Sequence, residues 1–223
     1  MNPKPTAVRI AKELYKHLSD CLQDSGFQIW PGHRYLVRPR QCGRDQLFVP
    51  VGKAPAKRFY SHVYLGVRID AVEEVFWRYW PKTDSTFAQE TPTIGMEVSH
   101  LWDFGMPHAW FMDDFEDVQQ IGTEMAAAVV RYGLPYFNKY DSLEIILEAL
   151  QDDSRYGWMN AGGPHFQFHK ALTFAVLLGK DDAYLDHIIS AAKVALSRVD
   201  SDPLEIERYL SFLRSTNLPS LYG

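Results

Sequence analysis

Arg58-Phe-Tyr-Ser-His-Val-Tyr-Leu-Gly-Val-Arg-Ile69 reads as a single β-strand. Phe59, Ser61, Val63, Leu65, Val67 and Ile69 alternate with Arg58, Tyr60, His62, Tyr64, Gly66 and Arg68. The two-residue period of a strand therefore puts an apolar row on one face and an aromatic, basic row on the other. Such a strand can hold a core and still present chemistry.

Working backwards along the chain, Leu47, Val49 and Val51 alternate with Gln46, Phe48 and Pro50 after Gly43, and Tyr35 and Val37 alternate with Arg34, Leu36 and Arg38 after Pro31-Gly32. Phe27 to Ile29 opens the extended region. These runs predict an antiparallel meander, and Thr93 to Leu101, with Ile94, Met96 and Val98 inward, predicts a fourth strand. If the apolar rows share a face, Arg34, Arg38, Gln46, Phe48, Tyr60, His62, Tyr64 and Arg68 gather on the other.

The remainder reads as helices. Val8, Ala11, Leu14, Leu18, Cys21 and Leu22 recur at helical spacing before Ser25-Gly26. Asp70 with Glu73, Asp141 with Glu144 and Asp202 with Glu205 have capping-box spacing at three further helix starts. A helix opened by Asp113 and Asp114 carries Phe115, Val118, Ile121, Met125 and Val129 on one stripe, and Gly133 and Pro135 predict its end. Pro164 starts a helix ending near Gly179, and 181–197 forms its antiparallel neighbour, with Ala171, Ala175, Ala191, Ala192 and Ala195 allowing close approach. The fold expected is α+β: an antiparallel sheet of about four strands packed with helices over 1–111, followed by an all-helical part over 112–223.

Composition narrows the function classes. The hydrophobic content of 46% and charged content of 23% are those of a globular chain. No long apolar run or signal-like start is present, so the expectation is a cytoplasmic protein with no membrane span. The net charge of −5 is uneven: 27–69 carries eight Lys or Arg against Asp45 alone, a local +7 that leaves −12 for the rest. That asymmetry means either a basic surface for an anionic partner or a basic sheet neutralised by acidic helices.

Motifs for catalysis are missing. Cys21 and Cys42 form neither a metal-ligand pair nor a disulfide framework, and neither has a nearby histidine suggesting activation. His165 and His169 share a helix face, but Phe166 stands where a zinc protease needs Glu. Gly162-Gly163-Pro164 lacks the lysine of a phosphate loop, and the aromatic 101–111 connection reads as a plug of Trp102, Phe104 and Trp110.

With Gly26-Phe27 after an amphipathic helix, Val63-Tyr-Leu-Gly-Val67 in the Arg/aromatic strands and Gly133-Leu-Pro-Tyr-Phe137, the chain resembles a bacterial family, the domain of unknown function catalogued as 4304, over residues 6–150. The resemblance implies an α+β fold and no established catalytic residues. Some members of that family sit in toxin and immunity neighbourhoods. The helices after Gly163 lie outside it and read as an added partner-docking module.

The expectation is a non-enzymatic protein-binding module, immunity-type in its narrow form, with no cofactor and no metal; a homodimer is compatible with it. Its binding residues are Arg34, Arg38, Tyr60, His62, Tyr64 and Arg68. Two alternatives stand beside it. One is a small-molecule or nucleotide enzyme with a pocket between the sheet and 101–111 that uses His62, His100 or His108. The other is a single-stranded nucleic-acid binder, against which the overall acidity weighs.

Overall fold

The structure is a computed structural model. It describes residues 6–31, 35–55, 58–80, 89–102, 108–152, 164–199, 201–219 and 221, and side chains in the 164–199 segment from Phe166 onward. The fold is α+β with a helical C-terminal part. In chain order its elements are α1 (Ala7–Leu22), β1 (Gln28–Ile29), β2 (Tyr35–Arg40), β3 (Gly43–Phe48), β4 (Val51–Lys53), β5 (Phe59–Ser61), β6 (Tyr64–Ile69), α2 (Asp70–Tyr79), β7 (Ile94–Glu97), β8 (Trp110–Met112), α3 (Asp117–Ala128), α4 (Leu134–Lys139), α5 (Leu143–Ala149), α6 (Pro164–Leu177), α7 (Asp182–Ser197) and α8 (Glu205–Ser215).

The antiparallel sheet has five strands where about four are expected, and there is a second, three-stranded sheet. The larger has the order β1-β2-β3-β6-β7, and the smaller β4-β5-β8. The 58–69 run is therefore two strands, interrupted at His62-Val63. β5 pairs antiparallel with β4 (Gly52 opposite Tyr60) and with β8 (Tyr60 opposite Phe111). The end of the aromatic connection is thus a strand, and residues 103–107, Phe104 among them, lie outside the described residues.

The chain forms two compact units that interleave in sequence: Met1–Pro39, Asp45–Gly66 and Met96–Lys139 in the first, Arg40–Arg44, Val67–Gly95 and Tyr140–Gly223 in the second. In the first, α1 packs against α3, burying Ile10, Leu14, Leu18 and Leu22 with Val118 and Met125. Gly122 lets the two helices approach, because a Cβ there would stand 2.5 Å from the His17 ring and 3.3 Å from Leu14. In the second, α6 packs against α2, α7 and α8 around Phe76, Phe168, Phe174, Ile188 and Leu213. Ala171, Ala175, Ala192 and Ala195 are fully buried, as expected of residues that let α6 and α7 come close, while Ala191 is half-buried.

Helix ends depart from the sequence expectations at several places. α3 begins at Asp117, whose carboxylate accepts from the Asp113 and Asp114 amides. α8 begins at Glu205 with no side-chain cap, Asp202 accepting instead from the Leu204 amide and the Arg208 guanidinium. Asp70 does not cap α2: its carboxylate accepts from Arg68 Nε at 2.7 Å and Arg44 Nη1 at 3.0 Å, because two guanidinium groups outbid a backbone amide. α5 is capped by Ser142, whose hydroxyl accepts from the Ile145 amide, one residue later than the box at Asp141 predicts. Gly133 and Pro135 do not end α3. A wide π turn over Val129–Gly133 carries it into α4, with the Leu134 amide bonded to the Val129 carbonyl, so the chain passes the proline that lacks an N–H. The ends of α6 and α7 behave as expected: Gly179 is left-handed (φ 67°), and Asp181 caps α7 by accepting from the Tyr184 amide.

Candidate functional site

Alternation along β2, β3, β5 and β6 in the first unit sends Tyr35, Phe48, Tyr60, His62 and Tyr64 to a common side, where their rings form a continuous strip. Tyr35 stacks on Phe48 with centroids 5.1 Å apart, and Phe48 lies 6.1 Å from Tyr64. Tyr64 lies 6.1 Å from His62, and His62 meets Tyr60 edge-on at 5.8 Å. Tyr64 is 37% exposed. The strip extends across β5 to Phe111, 45% exposed and directly opposite Tyr60 on β8.

Local sequence builds the strip. Gly52, opposite Tyr60, leaves the space that the tyrosine ring fills, since a Cβ on it would stand 2.4 Å from Tyr60 Cζ. At the far end Arg58 lies over Phe111, its guanidinium carbon 5.1 Å from the ring centroid, and its Nε donates to Asp113 Oδ1 at 2.7 Å.

Beneath the rings stands Glu97, 9% exposed. Its Oε1 accepts from Ser99 Oγ at 2.6 Å and pairs with His62 Nδ1 at 3.0 Å. An ionised carboxylate only accepts, so Nδ1 is the nitrogen that carries a proton in this contact with Glu97. Tyr64 has its phenol pushed up, by burial first and then by the Glu97 charge and Tyr60. The order of this chain matters chemically. Ser99 bonds to the carboxylate rather than to the imidazole, so His62 is not placed to take the serine's proton, and a nucleophilic triad is not assembled here.

The expected site residues divide. Tyr60, His62 and Tyr64 are brought together, and Arg34 lies outside the described residues. Arg38 is corrected to the opposite, core-facing side of β2. Its guanidinium binds Asp45 Oδ2 at 2.6 and 2.7 Å and lies 5.3 Å from the Phe27 ring and 5.4 Å from Phe137. Asp45 is fully buried, so Arg38 is the counter-charge that makes its burial tolerable. Arg68, in the second unit, is 6% exposed and donates to Asp70 Oδ1 and to the Thr91 carbonyl, each at 2.7 Å. Gln46, also expected on the face, is buried. β2 has apolar residues on both sides, and that made its facing ambiguous in sequence.

His62, His100 and His108, the histidines of the enzyme alternative, all lie among the described residues. His108 is exposed and rests on Trp102 and Trp110, each 4.8 Å away, while His62 is committed to Glu97. His169 is buried against Tyr209 and Trp80, and the His165 side chain lies outside the described residues. No cluster of three metal-ligating side chains occurs among the described residues.

Three arrangements escaped sequence reading. In sequence Glu97 reads only as part of a strand, although its position in β7 puts it beside His62. Cys21 does have a histidine near it: His17 Nε2 lies 3.5 Å from its sulfur, a neighbour that the four-residue spacing on α1 would have revealed. Because Thr123 Oγ1 donates to the Gln119 carbonyl and accepts from His17 Nε2 at 3.0 Å, the proton sits on Nε2 and that nitrogen is not a base for the thiol. The third is a buried polar cluster in the second unit. Lys170 Nζ stands 2.9 Å from Glu73 Oε1 and donates to the Pro92 carbonyl, while Trp77 Nε1 and Thr91 Oγ1 donate to Glu73 Oε2. Burial holds the Lys170 amine below its ordinary range, and Glu73 opposes that shift.

No helix among the described residues is long and apolar enough to cross a membrane. Comparisons with protein-family models, curated proteins and solved structures find no match for this chain.

Proposed function

We propose that the chain is a non-enzymatic protein-binding module that works in the cytoplasm and engages its partner through the ring strip Tyr35–Phe48–Tyr64–His62–Tyr60. One observation carries the reading: five neighbouring rings, each within 6.1 Å of the next, run along one side of the sheet strands with Tyr64 and Phe111 open to solvent. Aromatic rings supply large contact area at little entropic cost and dominate the energetic centres of protein interfaces. Arg38, Arg58 and Arg68 each hold an acid of their own unit, so this reading rests on the rings rather than on those guanidinium groups. An immunity-type role, which the resemblance to domain 4304 implies, is the narrow form of this reading.

The test is affinity capture by the tagged full-length chain from the cells that make it, with Tyr60→Ser/Tyr64→Ser as the strip variant and Val194→Ser/Leu204→Ser as an exposed control. The expected result is a partner held by the native chain and the control and lost by the strip variant. Equal recovery on all three baits removes the strip as the interface.

A further inference from the structure

We infer that the cleft between α1 and the entry to α3 binds a small zwitterion with an apolar body, an α-amino acid carrying an aromatic or branched side chain. The inference is independent of the ring strip and goes beyond the protein-binding reading. The cleft belongs wholly to the first unit and holds about 410 Å³, a volume usual for a small-molecule site. Arg9, Glu13, Lys16 and Asp20 line it from one face of α1, and Phe115 and Val118 line it from the entry to α3.

Its first support is charge that the fold leaves unpaired. Arg9 and Glu13 are four residues apart, Glu13 and Lys16 three, and Lys16 and Asp20 four, the spacings at which helical side chains pair. None of the four holds an ion pair among the described residues, whereas Arg38, Arg44, Arg58 and Arg68 each bond an acid. The Arg9 guanidinium instead lies over the Phe115 ring, 5.1 Å from its centroid. Two cations and two carboxylates therefore surround one cleft.

The second support is what those groups require of an occupant. A simple anion would be drawn to Arg9 and Lys16 and repelled by Glu13 and Asp20, and a simple cation would meet the reverse. An α-amino acid carries an ammonium and a carboxylate on one carbon, so it answers both signs at once. Val118, 3% exposed, and the Phe115 ring give its side chain an apolar surface to cover, which adds burial to the charge recognition.

The experiment is titration calorimetry of the full-length chain with four probes: L-phenylalanine, 3-phenylpropionate without the ammonium, phenethylamine without the carboxylate, and glycine without the apolar body. Phenylalanine is expected to bind, and each of the other three about tenfold more weakly. Arg9→Gln/Lys16→Gln should lower phenylalanine to the affinity of phenethylamine without weakening phenethylamine itself. Glu13→Gln/Asp20→Asn should lower it to that of 3-phenylpropionate without weakening 3-phenylpropionate. All four side chains are exposed, and thermal melting confirms that both variants fold. No heat from phenylalanine at about 10 mM, where even a millimolar ligand is largely bound, overturns the inference. So does a probe lacking either charge that binds as tightly as phenylalanine, or equal binding of phenylalanine by the native chain and both variants.

Discussion

Lys170 and Glu73 show how a single residue acquires meaning only from its surroundings. Each is under 4% exposed, and each has the other as its counter-charge. Removing one partner leaves an uncompensated buried charge, so Lys170→Met and Glu73→Gln should each destabilise the protein by about 3–5 kcal/mol. Replacing both with apolar side chains, Glu73→Leu with Lys170→Met, should recover most of that loss, and urea unfolding of the three variants will show the non-additivity. Two tyrosines in the same unit give a pH signature. Burial pushes the Tyr79 phenol up to about 12, helped by its hydrogen bond to Glu205, and burial pushes Tyr209 up as well. An unfolded tyrosine ionises near 10, so above that pH the unfolded chain gives up protons that the folded chain keeps. Stability from these groups is therefore complete below pH 10 and falls as pH rises towards 12. Tyr209→Phe should flatten the decline, measured by thermal melting across that range.

Elements meet where side chains are absent, and two glycines differ in what holds them: Gly43 combines a positive φ of 157° with a steric need, and Gly179 has the conformational need alone. Gly43 opens β3 against β6, and a Cβ there would stand 1.9 Å from the Arg68 carbonyl oxygen, a backbone atom that cannot move aside. Gly179 ends α6 in a left-handed conformation, φ 67°, with nothing within 4 Å of where a Cβ would be. Gly43→Ala should thus cost about 3 kcal/mol or more by forcing the strands apart. Gly179→Ala should cost only about 1 kcal/mol, the strain of an alanine in that region. Chemical denaturation of the two variants side by side checks the order; equal losses would mean that the β3–β6 contact is slack. The broken strand at His62-Val63 belongs to the same scale. Period-2 alternation is continuous through it, because the burial pattern holds from Phe59 to Leu65 even though the hydrogen-bond partners change from one sheet to the other.

At the scale of the whole molecule, net charge and its placement decide which partners are excluded. The chain carries −5 overall, and the guanidinium groups of Arg38, Arg44, Arg58 and Arg68 are each bonded to an acid. Phosphate binding needs cations that are free to release counterions, so a single-stranded oligonucleotide should show no mobility shift with this protein even at low salt. A shift that vanishes as salt is added would contradict the internal pairing. The charge asymmetry was visible in the sequence, but its meaning was not, since eight cations in a row of strands look alike whether their acids lie beside them or on another molecule. Amphipathic period, caps and the left-handed glycines determined the α+β class, the helix at 7–22 and the α6–α7 hairpin from sequence alone, because each depends on residues within a few positions of one another. Tertiary structure alone decided that Arg38 turns to the core, that Glu97 stands under His62 and that Lys170 meets Glu73. Those outcomes depend on which strands and helices become neighbours, and burial makes a charge choose its partner by distance in space rather than along the chain.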